Sequence, residues 1–393
     1  MIHRIGGATA SPMILHQSIV EQTVDRDERA RFVKELVVVR FRASGGDELP
    51  LAMIRKRHAA GPGSPGGTLA PVLLVHGYGQ NRYVWHLPAR SFSNYLARAG
   101  FDVFNLDLRG HGRSRHLGAH KPTHVADYVR DDVPAAVEEV MRISGGRPVH
   151  YVGHSMGGLI GYAAASALRG ALAGLTTLGS PYHFARGSWP LMLVGHTMLA
   201  IDRRVPLSGV APPLKALGEA MRLLRVFIES PVFPLPIRGF DAGSMEPKVL
   251  GQHMSLAMDT GSIAVLRSLF LGAVEQRRSG HRLGGLTGYA GAFEELELPL
   301  LIIAGSKDDL APPASVRPAF EHSRSSDKTY RVFPRGHIDL IVGRDAPRTV
   351  WPTIETWMKR RARATATTTS LPGDRRRLDE SERGGSGHGS PIG

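Results

Sequence analysis

The sequence predicts an α/β protein: a mostly parallel central sheet flanked by helices and carrying a mainly helical insertion. Three observations point there. Short, almost wholly apolar runs recur with helical patterns between them, the rhythm of right-handed βαβ units on a buried sheet. The rhythm stops after His183 and resumes before Leu300, leaving a long stretch of amphipathic pieces and prolines with no strand of comparable quality. Finally, 393 residues suffice for one large α/β unit with an insertion, or for two domains.

Residues 1–30 read as an N-terminal arm. Their segment MIHRIGGATASPMILHQSIVEQ lacks the apolar run of about 7 to 15 residues that a secretory signal needs. Glu35 to His58 holds two partly alternating runs around Ser44-Gly45-Gly46-Asp47, a hairpin signature, followed by the loop GPGSPGG. The buried strands expected next are Val72–Val75, Val103–Leu106, Val149–Val152 and Leu175–Leu178. Between them fall helices at Ser91–Ala99, at Val133–Ile143 with Asp132 as N-cap, and at Met156–Leu168. The insertion covers 184–296; strands Leu300–Ala304 and Tyr330–Phe333 and a closing helix Ala346–Arg361 then complete a core made of 31–183 and 297–361. Residues 362–393 are polar and Gly/Ser-rich, the composition of a disordered tail.

Composition narrows the chemistry. Hydrophobic residues at 42% and charged ones at 21% are ordinary for a globular protein, which excludes wholesale disorder. The absence of cysteine removes disulfides, thiolate metal sites and a cysteine nucleophile. The net charge of +14 invites a nucleic-acid reading, but no basic stripe interleaved with aromatics accompanies it, so no nucleic-acid partner is expected. Only 8 of the 49 basic residues are Lys, so a bias toward Arg codons accounts for the excess as well as a selected patch does. The best apolar run, Trp189–Ile201, contains His196 and falls short of the 17 or so residues a membrane span needs. A cytoplasmic location is the expectation.

Gly153-His154-Ser155-Met156-Gly157 fits G-x-S-x-G, immediately after one strand and immediately before a Gly-rich helix. A sharp strand-to-helix turn presents a nucleophile, and small residues on either side let the backbones approach. The serine hydroxyl is a poor nucleophile at neutral pH and needs a general base with an orienting acid. Asp308, in AGSKDDLAPP after one strand, and His337, in FPRGHIDL after the last, stand where active sites of open α/β sheets collect. Asp309 is an equally placed acid beside Asp308. For the developing oxyanion the backbone N–H groups of Tyr78, in His76-Gly77-Tyr78-Gly79, and of Met156 are the expected donors. His76 and the Asp107–Ser114 segment (DLRGHGRS) read as loop-holding groups.

HGYG, DLRGHGRS, GHSMGG, LGSP, GSKDDLAP and GHIDL, in this order, resemble the α/β-hydrolase family over Glu35 to Arg361 apart from the insertion. NRYVW and the C-terminal HIDLIVGRDAPRTVWPTIETW are similar to its acid-lipase and polyhydroxyalkanoate-synthase branches. The resemblance implies the α/β-hydrolase fold and a Ser155-His337-Asp308 triad, since Gly305, Asp308 and Pro312 keep the spacing of the family's acid. It also implies a serine hydrolase of carboxylic esters, esterase- or lipase-like, using no metal and no organic cofactor. The insertion becomes a cap whose stretches SWPLMLVGHTMLAI, MRLLRVFIESPVFPLPI and SIAVLRSLFLGAV either line an acyl pocket or form the cap's own core, with GGLTGYAGAF as a mobile connection. Synthases use cysteine at the nucleophile position, where Ser155 stands here. The rivals are an acyltransferase working through the same acyl-enzyme and a non-catalytic binding protein on the same fold. The expected partner is a small-molecule or lipid ester; an apolar cap on a basic surface also suits weak docking on anionic membranes. Nothing in the sequence sets the oligomeric state.

Overall fold

The computed structural model describes residues 13–59, 68–205, 214–224, 237–279 and 284–369. The loop GPGSPGG, most of MRLLRVFIESPVFPLPI and the tail beyond residue 369 lie outside the described residues.

The hairpin expected from Glu35 to His58 is β2 (Glu28–Arg42) and β3 (Glu48–His58), paired antiparallel from Phe32↔His58 to Arg42↔Glu48. Residues 1–30 do not form a separate arm where they are described. Met13–Asp25 is β1, hydrogen-bonded along β2 from Met13↔Val38 to Asp25↔Glu28. Ile14, Leu15 and Ile19 stay exposed, so β1 is held by ladder hydrogen bonds more than by a buried face, and its pattern was correspondingly weak.

The apolar runs become β4 (Pro71–Val75), two short strands β5 (His86–Leu87) and β6 (Arg90–Ser91), then β7 (Asp102–Asp107), β8 (Val149–His154), β9 (Leu172–Leu178), β10 (Leu300–Gly305) and β11 (Lys328–Phe333). One sheet takes the order β11-β10-β9-β8-β4-β7-β3-β2-β1-β6-β5. From β11 to β7 every pairing is parallel; from β7 through β3 and β2 to β1 it is antiparallel. The inner parallel strands β4, β7, β8 and β10 are buried on both faces, which is why they read as continuous apolar runs, whereas the edge strand β11 is partly exposed.

Each face carries its own core. Helices Val133–Ile143 and Met156–Ala164 pack on one, with Tyr128, Tyr162 and Phe293. Helices Phe92–Arg98 and Val350–Thr369 cover the other, with Trp85, Phe92 and Trp351. Three local expectations change. Asp132 is not an N-cap: its backbone is already helical at the end of a π-turn, and its carboxylate accepts from the Arg109 N–H at 2.8 Å and from the Arg109 guanidinium. The helix after Ser155 ends at Ala164, short of Leu168. The closing helix starts at Val350 and runs to Thr369, past the expected boundary at Arg361.

Between β9 and β10 the described residues form helices Trp189–Asp202, Leu214–Leu223, Pro247–Gln252 and Ile263–Ser279, with no strand. GGLTGYAGAF is not a loose connection. It makes a 3-10 turn (Gly284–Tyr289) and a short helix (Ala290–Glu294), and buries Leu286 and Phe293 in the core beside Tyr162. Among the described residues no helix is long and apolar enough to cross a membrane.

Candidate active site

Ser155 occupies the turn from β8 into the helix Met156–Ala164 with φ 54° and ψ −123°. A side-chain-bearing residue held there costs about 1–3 kcal/mol, which the surroundings must over-determine. They do: β8 is clamped between β4 and β9, and the Ser155 N–H donates to the Leu178 carbonyl at 3.0 Å. The helix seats directly on β4, where a Cβ on Gly157 would stand 2.4 Å from the Val75 carbonyl oxygen. Gly157→Ala is therefore expected to lower unfolding free energy by about 1–3 kcal/mol. Urea denaturation checks this, and an unshifted midpoint would show the close approach to be dispensable.

The loop after β10 carries Asp308 and the loop after β11 carries His337, both almost fully buried. His337 Nδ1 donates to Asp308 Oδ2 at 2.8 Å. Asp308 Oδ1 accepts from the N–H groups of Leu310 at 2.9 Å and Ala311 at 2.7 Å, which fixes the carboxylate. The neighbouring Asp309 faces elsewhere and accepts from the N–H groups of Arg238 at 2.6 Å and Gly239 at 3.0 Å. Of the two acids, it is Asp308 that the fold brings to His337. Burial opposes charge on that imidazole, but the Asp308 carboxylate and its hydrogen bond outweigh it and raise the His337 pKa above the ordinary histidine value. Gly179, at φ 53°, follows β9 and lies against the pair: a Cβ there would come within 3.0 Å of Asp308 Oδ2 and 3.1 Å of His337 Nδ1.

After β4, the loop His76–Gly79 turns beneath the elbow. A Cβ on Gly77 would meet the Ser155 Cβ at 2.9 Å, and the Gly77 N–H donates to Gln80 Oε1 at 3.2 Å. Among the described residues no protein acceptor takes the N–H of Tyr78 or of Met156. The helical insertion braces this loop: Asp259 N–H donates to the Gly79 carbonyl at 2.7 Å, Asn81 N–H to the Ala257 carbonyl at 3.0 Å, and the Tyr78 hydroxyl to the Ser262 carbonyl at 2.9 Å.

His76 holds loops, as its position suggested. Its Nδ1 donates to the Gly77 carbonyl at 2.9 Å while Nε2 accepts from the Leu108 N–H at 3.1 Å, and burial pushes its pKa down. Asp107 does the same work, accepting from the N–H groups of Arg82 at 2.8 Å and Arg113 at 2.9 Å.

Ser155, Met156, Tyr78 and His337 line one cavity of about 350 Å³. Its other walls are mainly apolar, and Leu191, Ile237, Leu266 and Leu269 come from the three apolar stretches of the insertion. Two histidines beside the site escaped sequence reasoning. Buried His154, next to Ser155, holds its ring tilted against that of His337, with centroids 4.6 Å apart, and donates from Nε2 to the His337 carbonyl at 3.3 Å. His253, on a π-turn of the insertion, lines the cavity; burial, with the nearby His337, pushes its pKa down to about 4, so it is neutral. No motif marks His253, because only the insertion's packing brings it here.

A mostly parallel sheet of this order, with a serine elbow after β8, its third parallel strand along the chain, and an Asp–His pair in the loops after β10 and β11, defines the class. The chain has the α/β-hydrolase fold, and a profile of that fold matches residues 70–206. It is 36% identical over 122 residues to a pimeloyl-[acyl-carrier protein] methyl ester esterase of Methylococcus capsulatus, covering 31% of this chain and 41% of that protein. It is 27% identical over 267 residues to a monoacylglycerol lipase of Mycolicibacterium smegmatis, covering 67% of this chain and 79% of that one. The chain thus spans less than half of the first relative's length. Among solved structures, a thermostable carboxyl esterase of Bacillus coagulans superposes with a TM-score of 0.54 at 18% identity, covering 83% of this chain and 98% of that one, a likeness of fold.

Proposed function

We infer that the chain is a serine hydrolase of carboxylic esters with an apolar acyl group, working through Ser155, His337 and Asp308. One observation carries this reading: a serine held at positive φ and a buried His337–Asp308 pair open onto the same mainly apolar cavity. The esterase and lipase relatives support it.

Ser155 Oγ attacks the ester carbonyl carbon while His337 Nε2 takes its proton; Asp308, fixed by two N–H groups, holds Nδ1–H and so leaves Nε2 as the base. The N–H groups of Tyr78 and Met156 receive the oxyanion. The proton on His337 passes to the leaving alcohol and the acyl group stays on Ser155. A water deprotonated by His337 then releases the acid and regenerates the serine. The insertion, residues 184–296, acts as a cap that walls the acyl pocket and steadies the Tyr78 loop.

The catalytic form needs His337 neutral, and its pKa is raised. Activity should therefore be full above that pKa and fall as pH drops through it. A pH profile of kcat/KM is expected to show an acid limb centred above about 6.5, the ordinary histidine value; a limb at or below it would remove the Asp308 contribution. The reading as a whole is tested by a fluorophosphonate probe: stoichiometric labelling of Ser155 is expected, and no labelling of folded protein overturns it.

A further inference from the structure

A second cavity, of about 390 Å³, shares no lining residue with the first. It is enclosed by β1, β2, β3, the segment Arg82–Pro88, Asn105 of β7 and Arg113. Its charged lining is Arg29, Lys34, Lys56, Arg82 and Arg113 against one carboxylate, Glu21. Arg29 is taken up by Glu21 at 3.3 Å, and Arg82 pairs with Asp107. Lys34, Lys56 and Arg113 have no carboxylate within ion-pair distance among the described residues.

The arrangement works against the fold. Lys34 and Lys56 are direct partners in the β2–β3 register, so two ammonium groups leave the same face of neighbouring strands, a pairing that destabilises a sheet. Lys56 is 1% exposed. Its three N–H donors go to neutral acceptors only, Gln22 Oε1 at 2.9 Å, His86 Nδ1 at 3.0 Å and Asn94 Oδ1 at 2.7 Å. The charge is solvated by dipoles without a counter-ion, the situation in which a buried cation is costly. Burial, followed by the neighbouring cations, depresses the pKa of both lysines. An anion entering the cavity offsets the repulsion among these cations.

We propose that this cavity binds the phosphate group of a small molecule, with Lys34 and Arg113 as direct hydrogen-bond donors and Lys56 as a fixed charge in its wall. Phosphate fits better than carboxylate because it brings nearly two negative charges near neutral pH to a cluster of three uncompensated cations. A guanidinium fork and an ammonium point charge are both phosphate ligands. Ile54, Tyr83 and Pro88 add an apolar wall, and the volume leaves room for a short organic body beside the phosphate. The ligand is therefore a phosphate monoester, either free in solution or as a lipid headgroup.

The full chain is melted in inorganic phosphate, in glycerol phosphate and in sodium chloride of equal ionic strength, and floated with vesicles of phosphatidylcholine with or without phosphatidic acid. Both phosphate compounds are expected to raise Tm above the chloride value. Lys34→Gln and Arg113→Gln are each expected to weaken the apparent affinity about tenfold or more while ester turnover is unchanged. In the ligand-free protein Lys34→Gln should raise Tm, since it removes one of two facing charges. Flotation that depends on both phosphatidic acid and Lys34 assigns the headgroup; a response to glycerol phosphate without flotation assigns a soluble ester. Equal Tm in phosphate and chloride, or unaltered phosphate response in both variants, overturns the site. A lower ligand-free Tm of Lys34→Gln would make that lysine a structural residue and overturns it as well.

Discussion

Ser155→Ala is expected to lower kcat for a p-nitrophenyl ester by about ten-thousand-fold or more and to abolish labelling by a fluorophosphonate, with Tm unchanged or higher. The size follows from the role: without Oγ there is no atom to accept the acyl group, and what remains is only binding and oxyanion stabilisation applied to attack by water. No loss of Tm is expected because the backbone at φ 54° is held by main-chain bonds, among them Ser155 N–H to the Leu178 carbonyl, that remain when the hydroxyl goes. Turnover within tenfold of the parent would place the nucleophile elsewhere and end the reading of the elbow.

Asp308→Asn is expected to cost about a thousand- to ten-thousand-fold in kcat. An amide can face His337 with its oxygen, but the N–H groups of Leu310 and Ala311 claim an acceptor on the other side. Whichever way the amide turns, one partner meets an NH₂ group instead of an oxygen. The imidazolium also loses its counter-charge, so the acid limb of the pH profile should move to lower pH. The companion Asp309→Asn is expected to change kcat by less than about tenfold, because its partners are the N–H groups of Arg238 and Gly239, which a neutral oxygen still accepts in part. Equal losses in the two variants would show that the loop as a whole, and not the Asp308–His337 bond, sustains activity.

Much of the site was legible because its chemistry is local. An elbow needs glycines two residues on either side of the nucleophile, and the strands feeding it need uninterrupted apolar runs, so both leave a mark in consecutive residues. Asp308 and His337 were legible by position, each at the end of a strand. What the sequence hid depends on distant pairing. β1 has too few buried side chains to announce itself and is recognisable only from its ladder with β2. Asp132 looked like a cap because it precedes a helix, whereas the buried Arg109 claims its carboxylate. The glycines of GGLTGYAGAF suggested looseness, but Leu286 and Phe293 lie seven positions apart and drop into one core. The basic charge read as compositional, and only the β2–β3 register sets Lys34 opposite Lys56.

The sheet order has a kinetic consequence. β9 and β10 are adjacent, with Leu175 beside Leu300, yet all of residues 179–299 lie between them in the chain. Closing so long a segment costs entropy before its contacts are made, so β10 and β11 should dock late in folding. The elbow belongs to strands that can associate earlier. A chain emerging from the ribosome would carry Ser155 before His337, and on the proposed reading the two would act together only once β10 and β11 had been fitted to the sheet.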